Sequence, residues 1–135
     1  MEIIYEKKSP HSLEETIKRL KLALSEVGFG VLWELNFKDK LAEKGFELEP
    51  NFYVFEVCNP SKAEKVLKEW LMAGYFLPCK MAAYEKVGEV YVGLPKPVDL
   101  ITLVSNDDLL KSFAEEVEDA LTEVIEKVTH QGPIL

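Results

Sequence analysis

Phe52-Tyr53-Val54-Phe55-Glu56-Val57-Cys58 runs without a break into Asn59-Pro60-Ser61, and Leu77-Pro78-Cys79 follows one helix length later. A run of aromatic and β-branched residues with no proline makes 52–58 a strand. By parity Tyr53, Phe55 and Val57 share one face, and Val54, Glu56 and Cys58 the other. A helix starts at once. Either Asn59 caps it with Pro60 in the first turn, or Ser61 caps it with Glu64 closing a capping box. Ala63, Val66, Leu67, Trp70 and Leu71 form its apolar stripe. After Gly74, Tyr75-Phe76-Leu77-Pro78 reads as extended, and Cys79 opens a strand through Met81, Ala83 and Glu85. Gly88 permits a tight turn, so Glu89-Val90-Tyr91-Val92-Gly93-Leu94 pairs back as a hairpin.

Working outward towards the N-terminus, Ile3-Ile4-Tyr5 reads as a first strand, stopped by Ser9-Pro10. Ser12 and Glu15 form a capping box, and Leu13, Ile17, Leu20, Leu24 and Val27 place one stripe on the helix that follows. Gly28 ends it, as glycine tolerates a left-handed backbone. Phe29, Val31, Trp33, Leu35 and Phe37 then alternate with more polar residues, the pattern of a strand with one buried face. Lys38 to Lys44 makes a short surface helix closed by Gly45. Towards the C-terminus, Val98 to Val104 fits a short strand or a short helix. Ser105-Asn106-Asp107-Asp108 is a capping signal, and Leu109, Phe113, Val117, Leu121, Val124 and Val128 stripe a long helix. Thr129 to Leu135 reads as a loose tail. The fold class is α+β: residues 1–135 form one domain, a two-layer α/β sandwich. Its largely antiparallel sheet has about five strands, with helices on one face.

The chain has 135 residues, 47% hydrophobic and 30% charged, a globular composition able to bury a core. Its net charge of -8 repels phosphate backbones, so nucleic acid is excluded as a partner. No apolar run approaches the roughly 20 residues of a membrane span. The start of the chain lacks the basic and apolar regions of a signal peptide, which places the protein in the cytoplasm with both cysteines as thiols. Lysine and glutamate dominate the charge and Gln131 is the single glutamine, a composition leaning towards a thermophilic source. Phe52, Val54, Tyr84 and Tyr91 fall out of parity with the core positions. Both sheet faces therefore carry large apolar groups, and we expect a homodimer.

Three motifs resemble those of one family in the same order. Gly28-Phe29-Gly30-Val31-Leu32-Trp33-Glu34-Leu35-Asn36-Phe37-Lys38 resembles the opening signature of the conserved family called domain of unknown function 302, and Cys58-Asn59-Pro60 and Leu77-Pro78-Cys79 are similar to its two cysteine motifs. The chain departs from that pattern at Asn36, where aspartate is more usual, and at Leu94, where a more polar residue precedes the proline. The resemblance implies a two-layer α/β domain, a homodimer and a helix over Val98 to Val104. It implies no reaction.

The candidate site follows from the cysteine motifs. A thiolate is the form that attacks or binds soft metals, and a helix N-terminus or nearby cation favours it. Cys58 precedes a helix start and Lys80 follows Cys79, so Cys58, Cys79, Asn59 and Lys80 are the candidate ligand or metal residues. Cys58 and Cys79 would hold a soft metal ion, copper(I) or zinc. Against this stands their use as small buried hydrophobes. Glu34 and Glu56 would act as acid and base if their strands are neighbours. His11 and His130 lie away from any ligand spacing and read as exposed residues without a role. Gly28-Phe29-Gly30 comes after a helix and before a strand, the reverse of a phosphate loop. No nucleophile elbow, histidine–carboxylate spacing or dinucleotide fingerprint occurs. The best reading is a small ligand- or soft-metal-binding module with a thiol-containing site. The alternatives are a thiol-based enzyme and a structural domain acting through its dimer surface.

Overall fold

Leu20, Leu24, Phe55, Met81, Leu121 and Ile125 are sealed from solvent, and the architecture is what their burial requires. At roughly 1.5–3 kcal/mol for each large side chain removed from water, such positions outweigh local propensity. A computed structural model describes residues 2–131. The elements are β1 (Ile4–Ser9), α1 (Leu13–Glu26), β2 (Gly30–Asn36), α2 (Phe37–Glu43), β3 (Phe52–Cys58), α3 (Pro60–Glu69), β4 (Cys79–Lys86), β5 (Glu89–Pro95), α4 (Pro97–Thr102) and α5 (Asp108–Val128). The five strands form one open sheet in the order β1-β5-β4-β3-β2, every neighbouring pair antiparallel. The expected α+β class and antiparallel sheet are what the chain adopts.

One layer of the core is the sheet face carrying Phe55, Val57, Met81, Ala83, Val92 and Leu94. The other is α1, through Leu13, Ile17, Leu20 and Leu24, and α5, through Val117, Leu121, Val124 and Val128. A second, smaller cluster joins Val66, Ala73, Ile101, Leu110 and Ala114 beyond the end of the sheet. On the opposite sheet face Phe52 stacks on Tyr84 at 4.8 Å and Tyr84 on Tyr91 at 5.5 Å. Phe37, the first residue of α2, meets Phe52 edge-on at 6.1 Å. The β4–β5 hairpin turns through Val87 at φ 51° and Gly88 at φ 77°, the paired positive angles of a twist-matched two-residue turn.

Several sequence expectations are corrected. The alternation from Phe29 to Phe37 is broken by a bulge: Val31 pairs with Val57 but Trp33 pairs with Glu56, leaving Leu32 extra. Trp33 consequently faces away from the core and is 48% exposed, and Phe37 leaves the strand for α2. The helix after Cys58 ends at Glu69; Trp70 is extended, and Leu71–Tyr75 forms a 3₁₀ turn in place of part of the expected extended segment. Leu71, assigned to the buried stripe, is exposed. In α5 the stripe is shifted by one residue at its start, with Leu110 and Ala114 buried and Leu109 exposed. The Asp107 carboxylate caps this end, accepting from the Leu109 and Leu110 amides, and Leu110 and Ala114 pack with Val66, Ala73 and Ile101. Val98 to Val104 resolves as helix over Pro97–Thr102. Of the expected loose tail, Thr129 instead donates its hydroxyl to the Ile125 carbonyl, while residues 132–135 lie outside the described residues.

Candidate ligand and thiol site

β3 and β4 are adjacent and antiparallel, with Val57 opposite Cys79. Cys58 ends one strand and Cys79 opens the other, so both cysteines lie at the same end of the sheet. The return path explains this. Asn59 caps α3, its side-chain oxygen accepting from the Lys62 amide at 3.3 Å, and Pro60 occupies the first turn. Of the two capping alternatives, the asparagine one is realised. The 3₁₀ turn and a cis Leu77–Pro78 peptide then bring the chain back beside β3. Gly28, at φ 83°, sits against this corner: a Cβ there would stand 3.2 Å from Asn59 Nδ2.

Two cavities meet at this corner. The larger, about 250 Å³, is a chamber between the sheet end and the helices. Its wall takes Val66 from α3, Leu100 and Ile101 from α4, and Leu110, Phe113 and Ala114 from α5, with Pro78 and Cys79 at its sheet side. Exposed Tyr75 and Lys80 border it. The smaller, about 10 Å³, is bounded by Cys58, Cys79, Phe29, Val57, Asn59 and Ala63, among others. Cys79 borders both cavities. Burial pushes the Cys79 thiol up to about 11, with the neighbouring Cys58 adding in the same direction. Burial also raises the Cys58 thiol. Desolvation therefore dominates over the α3 N-terminus and Lys80, and both thiols are protonated at neutral pH. Lys80 stands opposite Glu56 in the strand register, on the face away from Cys79.

Glu34 and Glu56 are on neighbouring strands but do not form an acid–base pair. The bulge sets Glu34 opposite Phe55, on the helical side, where it pairs with Lys21 of α1 at 2.7 Å. Glu56 lies opposite Trp33 and Lys80 on the other face. His11 is engaged: its Nε2 lies 2.8 Å from the His130 carbonyl, joining the start of α1 to the end of α5. Among the described residues no group of three or more His, Cys, Asp or Glu is arranged to hold a metal, and no helix is long and apolar enough to cross a membrane.

The residues missed by sequence reasoning are the chamber walls and a polar network. Asn36 donates to Asn51 Oδ1 at 2.9 Å and accepts from the Lys38 and Phe52 amides, and Asn51 donates to Glu85 at 2.8 Å. Asn36 thus works as an α2 cap that also ties β2 to the loop before β3. The amide supplies both donor and acceptor, so the aspartate of the family pattern is not needed for it.

The profile of the family described as Domain of unknown function DUF302 matches residues 5–128. The chain belongs to this family. The crystal structure of an uncharacterized conserved DUF302 protein from Bacillus stearothermophilus is 38% identical. That likeness covers 96% of this chain and 100% of the other, with a TM-score of 0.90. No curated protein matches. The three DUF302 motifs are now placed. The first spans the turn after α1, β2 and the start of α2, and the two cysteine motifs form the corner where both cavities meet.

Proposed function

We propose that this DUF302 protein is a binding module for a small, largely apolar molecule held in the chamber between the sheet end and α3, α4 and α5. The observation that carries the reading is the chamber itself: a concave, apolar space with few polar groups, the usual form of a ligand site, its volume of about 250 Å³ just below the common range of about 300–1,000 Å³ and so suited to a small molecule. The Tyr75 hydroxyl at its border suits a hydrogen-bonding head group such as a carboxylic acid, and Cys79 supplies a thiol to its wall. A thiol-based enzyme is less well supported, because burial raises both thiols and, among the described residues, no histidine or carboxylate acts on either of them. The test is native mass spectrometry of the purified protein together with thermal shift against small aromatic and aliphatic carboxylic acids. Retained mass or stabilisation by such acids, lost in Ala114→Trp, is the expected result. Stabilisation that survives the filled chamber, or no acid that stabilises, removes the reading.

We also propose that the sheet's second face is covered by another copy of the chain. Supporting this are the exposed Trp33 and the stacked Phe52, Tyr84 and Tyr91, which leave a broad aromatic surface opposite the helices.

A further inference from the structure

We propose that the chamber takes an amphiphilic anion, its apolar part inside and its carboxylate held beyond the wall on Lys65 of α3. The proposal rests on the chamber reading above and adds the counter-charge that the chamber lacks. The chamber is lined almost wholly by apolar side chains. A carboxylic acid is ionised at neutral pH, and an ionised carboxylate in apolar surroundings without a cation is strongly disfavoured. Tyr75 offers a hydroxyl but no charge, and Lys80 lies on the other face of the sheet, opposite Glu56. The head group therefore has to leave the chamber towards a cation.

Such a cation lies behind one wall. Val66 and Phe113 border the chamber and also border a second, open groove of about 550 Å³ between α3 and α5. Val66 is buried, and Phe113, partly buried, packs against both hydrophobic clusters. These two side chains form the partition, and the Phe113 ring is the one that must turn aside for a ligand to span both spaces. On the groove side the same helices turn polar. α3 supplies Lys62, Lys65 and Lys68, spaced as neighbours on one helix surface, and α5 supplies Ser112. The chain carries a net charge of -8, so lysines gathered on one groove stand against its general charge. Two of them are engaged: Lys62 with Glu116 at 3.1 Å across the groove, and Lys68 with Glu64 at 3.7 Å along α3. Among the described residues Lys65 has no carboxylate partner. Glu69, one turn further along α3, repels an anion from that end of the groove. Lys65 and the Ser112 hydroxyl are then the side chains left to hold the head group.

The experiment is isothermal titration of the protein with octanoate and with octanamide, its neutral counterpart of equal chain length, at neutral pH. Octanoate affinity should fall with added salt while that of octanamide holds. Lys65→Met should weaken octanoate on the order of fivefold and leave octanamide unchanged, and Lys65→Arg should restore octanoate. Lys44→Met, the same change of charge at the end of α2, should alter neither. Lys65 is exposed, so its variants are expected to fold as the wild type does. Octanoate binding that Lys65→Met leaves unchanged, or that Lys44→Met weakens equally, overturns the proposal, and the chamber reading stands so long as Ala114→Trp abolishes binding of both ligands. Octanoate that fails to bind, or that binds undiminished in Ala114→Trp, removes the chamber reading and this proposal with it.

Discussion

Cys79 carries a pH dependence whose sign can be worked out. Its thiol is raised from an ordinary value of 9.0 to about 11 in the folded chain. Above pH 9 the unfolded thiol has released its proton while the folded one keeps it. The unfolded state then binds fewer protons, so stability falls as pH rises from about 9 to about 11 and is level with respect to this group below that window. A shift of this size corresponds to a loss on the order of 3 kcal/mol. Urea unfolding of wild type and Cys79→Ala across that window should show the difference between them shrinking by about that amount; parallel curves would refute the assignment. At the same scale, the thiol pair shows what residue types can announce. The asparagine and proline after Cys58 marked the start of α3, but the sign of the thiol shift was not legible. It depends on how far Phe29, Val117 and the strands around Cys79 exclude water, which is a property of the folded packing.

Among the elements, α5 gives the cleanest prediction. Asp107 accepts from two amides at its start, at 2.8 and 3.2 Å. Asp107→Ala should lower stability by about 1 kcal/mol, read as a shift in the urea midpoint at unchanged slope. Caps and turns of this kind were legible because their chemistry is local: Ser12, Asn59, Gly28 and Gly88 all act where the sequence places them. β3 was legible for the same reason, its seven residues read with the observed bounds. The bulge in β2 was not, since nothing in Val31-Leu32-Trp33 signals it. It exists only in the pairing with β3, and it moved Trp33 to the second face and separated Glu34 from Glu56. The end of α3 failed differently. Leu71-Met72-Ala73 favours helix locally, but Trp70 turns extended and its ring stacks on Phe76 at 6.4 Å, ending α3 one residue earlier. The chamber was invisible from sequence because its walls come from elements far apart along the chain.

For the molecule as a whole, the second sheet face decides the association state. A dimer through Trp33, Phe52, Tyr84 and Tyr91 should give a light-scattering mass twice the 15.4 kDa of the chain, and Tyr84→Glu should return the monomer. A monomer mass for the wild type across a concentration series would exclude that interface. The bulge at Leu32 has one more consequence at this scale. An open sheet ends in two strands with unpaired amides and carbonyls, and such a row can template the addition of a foreign strand. Here those strands are β1 and β2. β1 carries the charged run Glu6-Lys7-Lys8, and β2 carries the extra residue, which disturbs the regular spacing of hydrogen-bonding groups that an incoming strand would have to match. Sideways polymerisation is thus opposed by charge at one margin and by broken rhythm at the other.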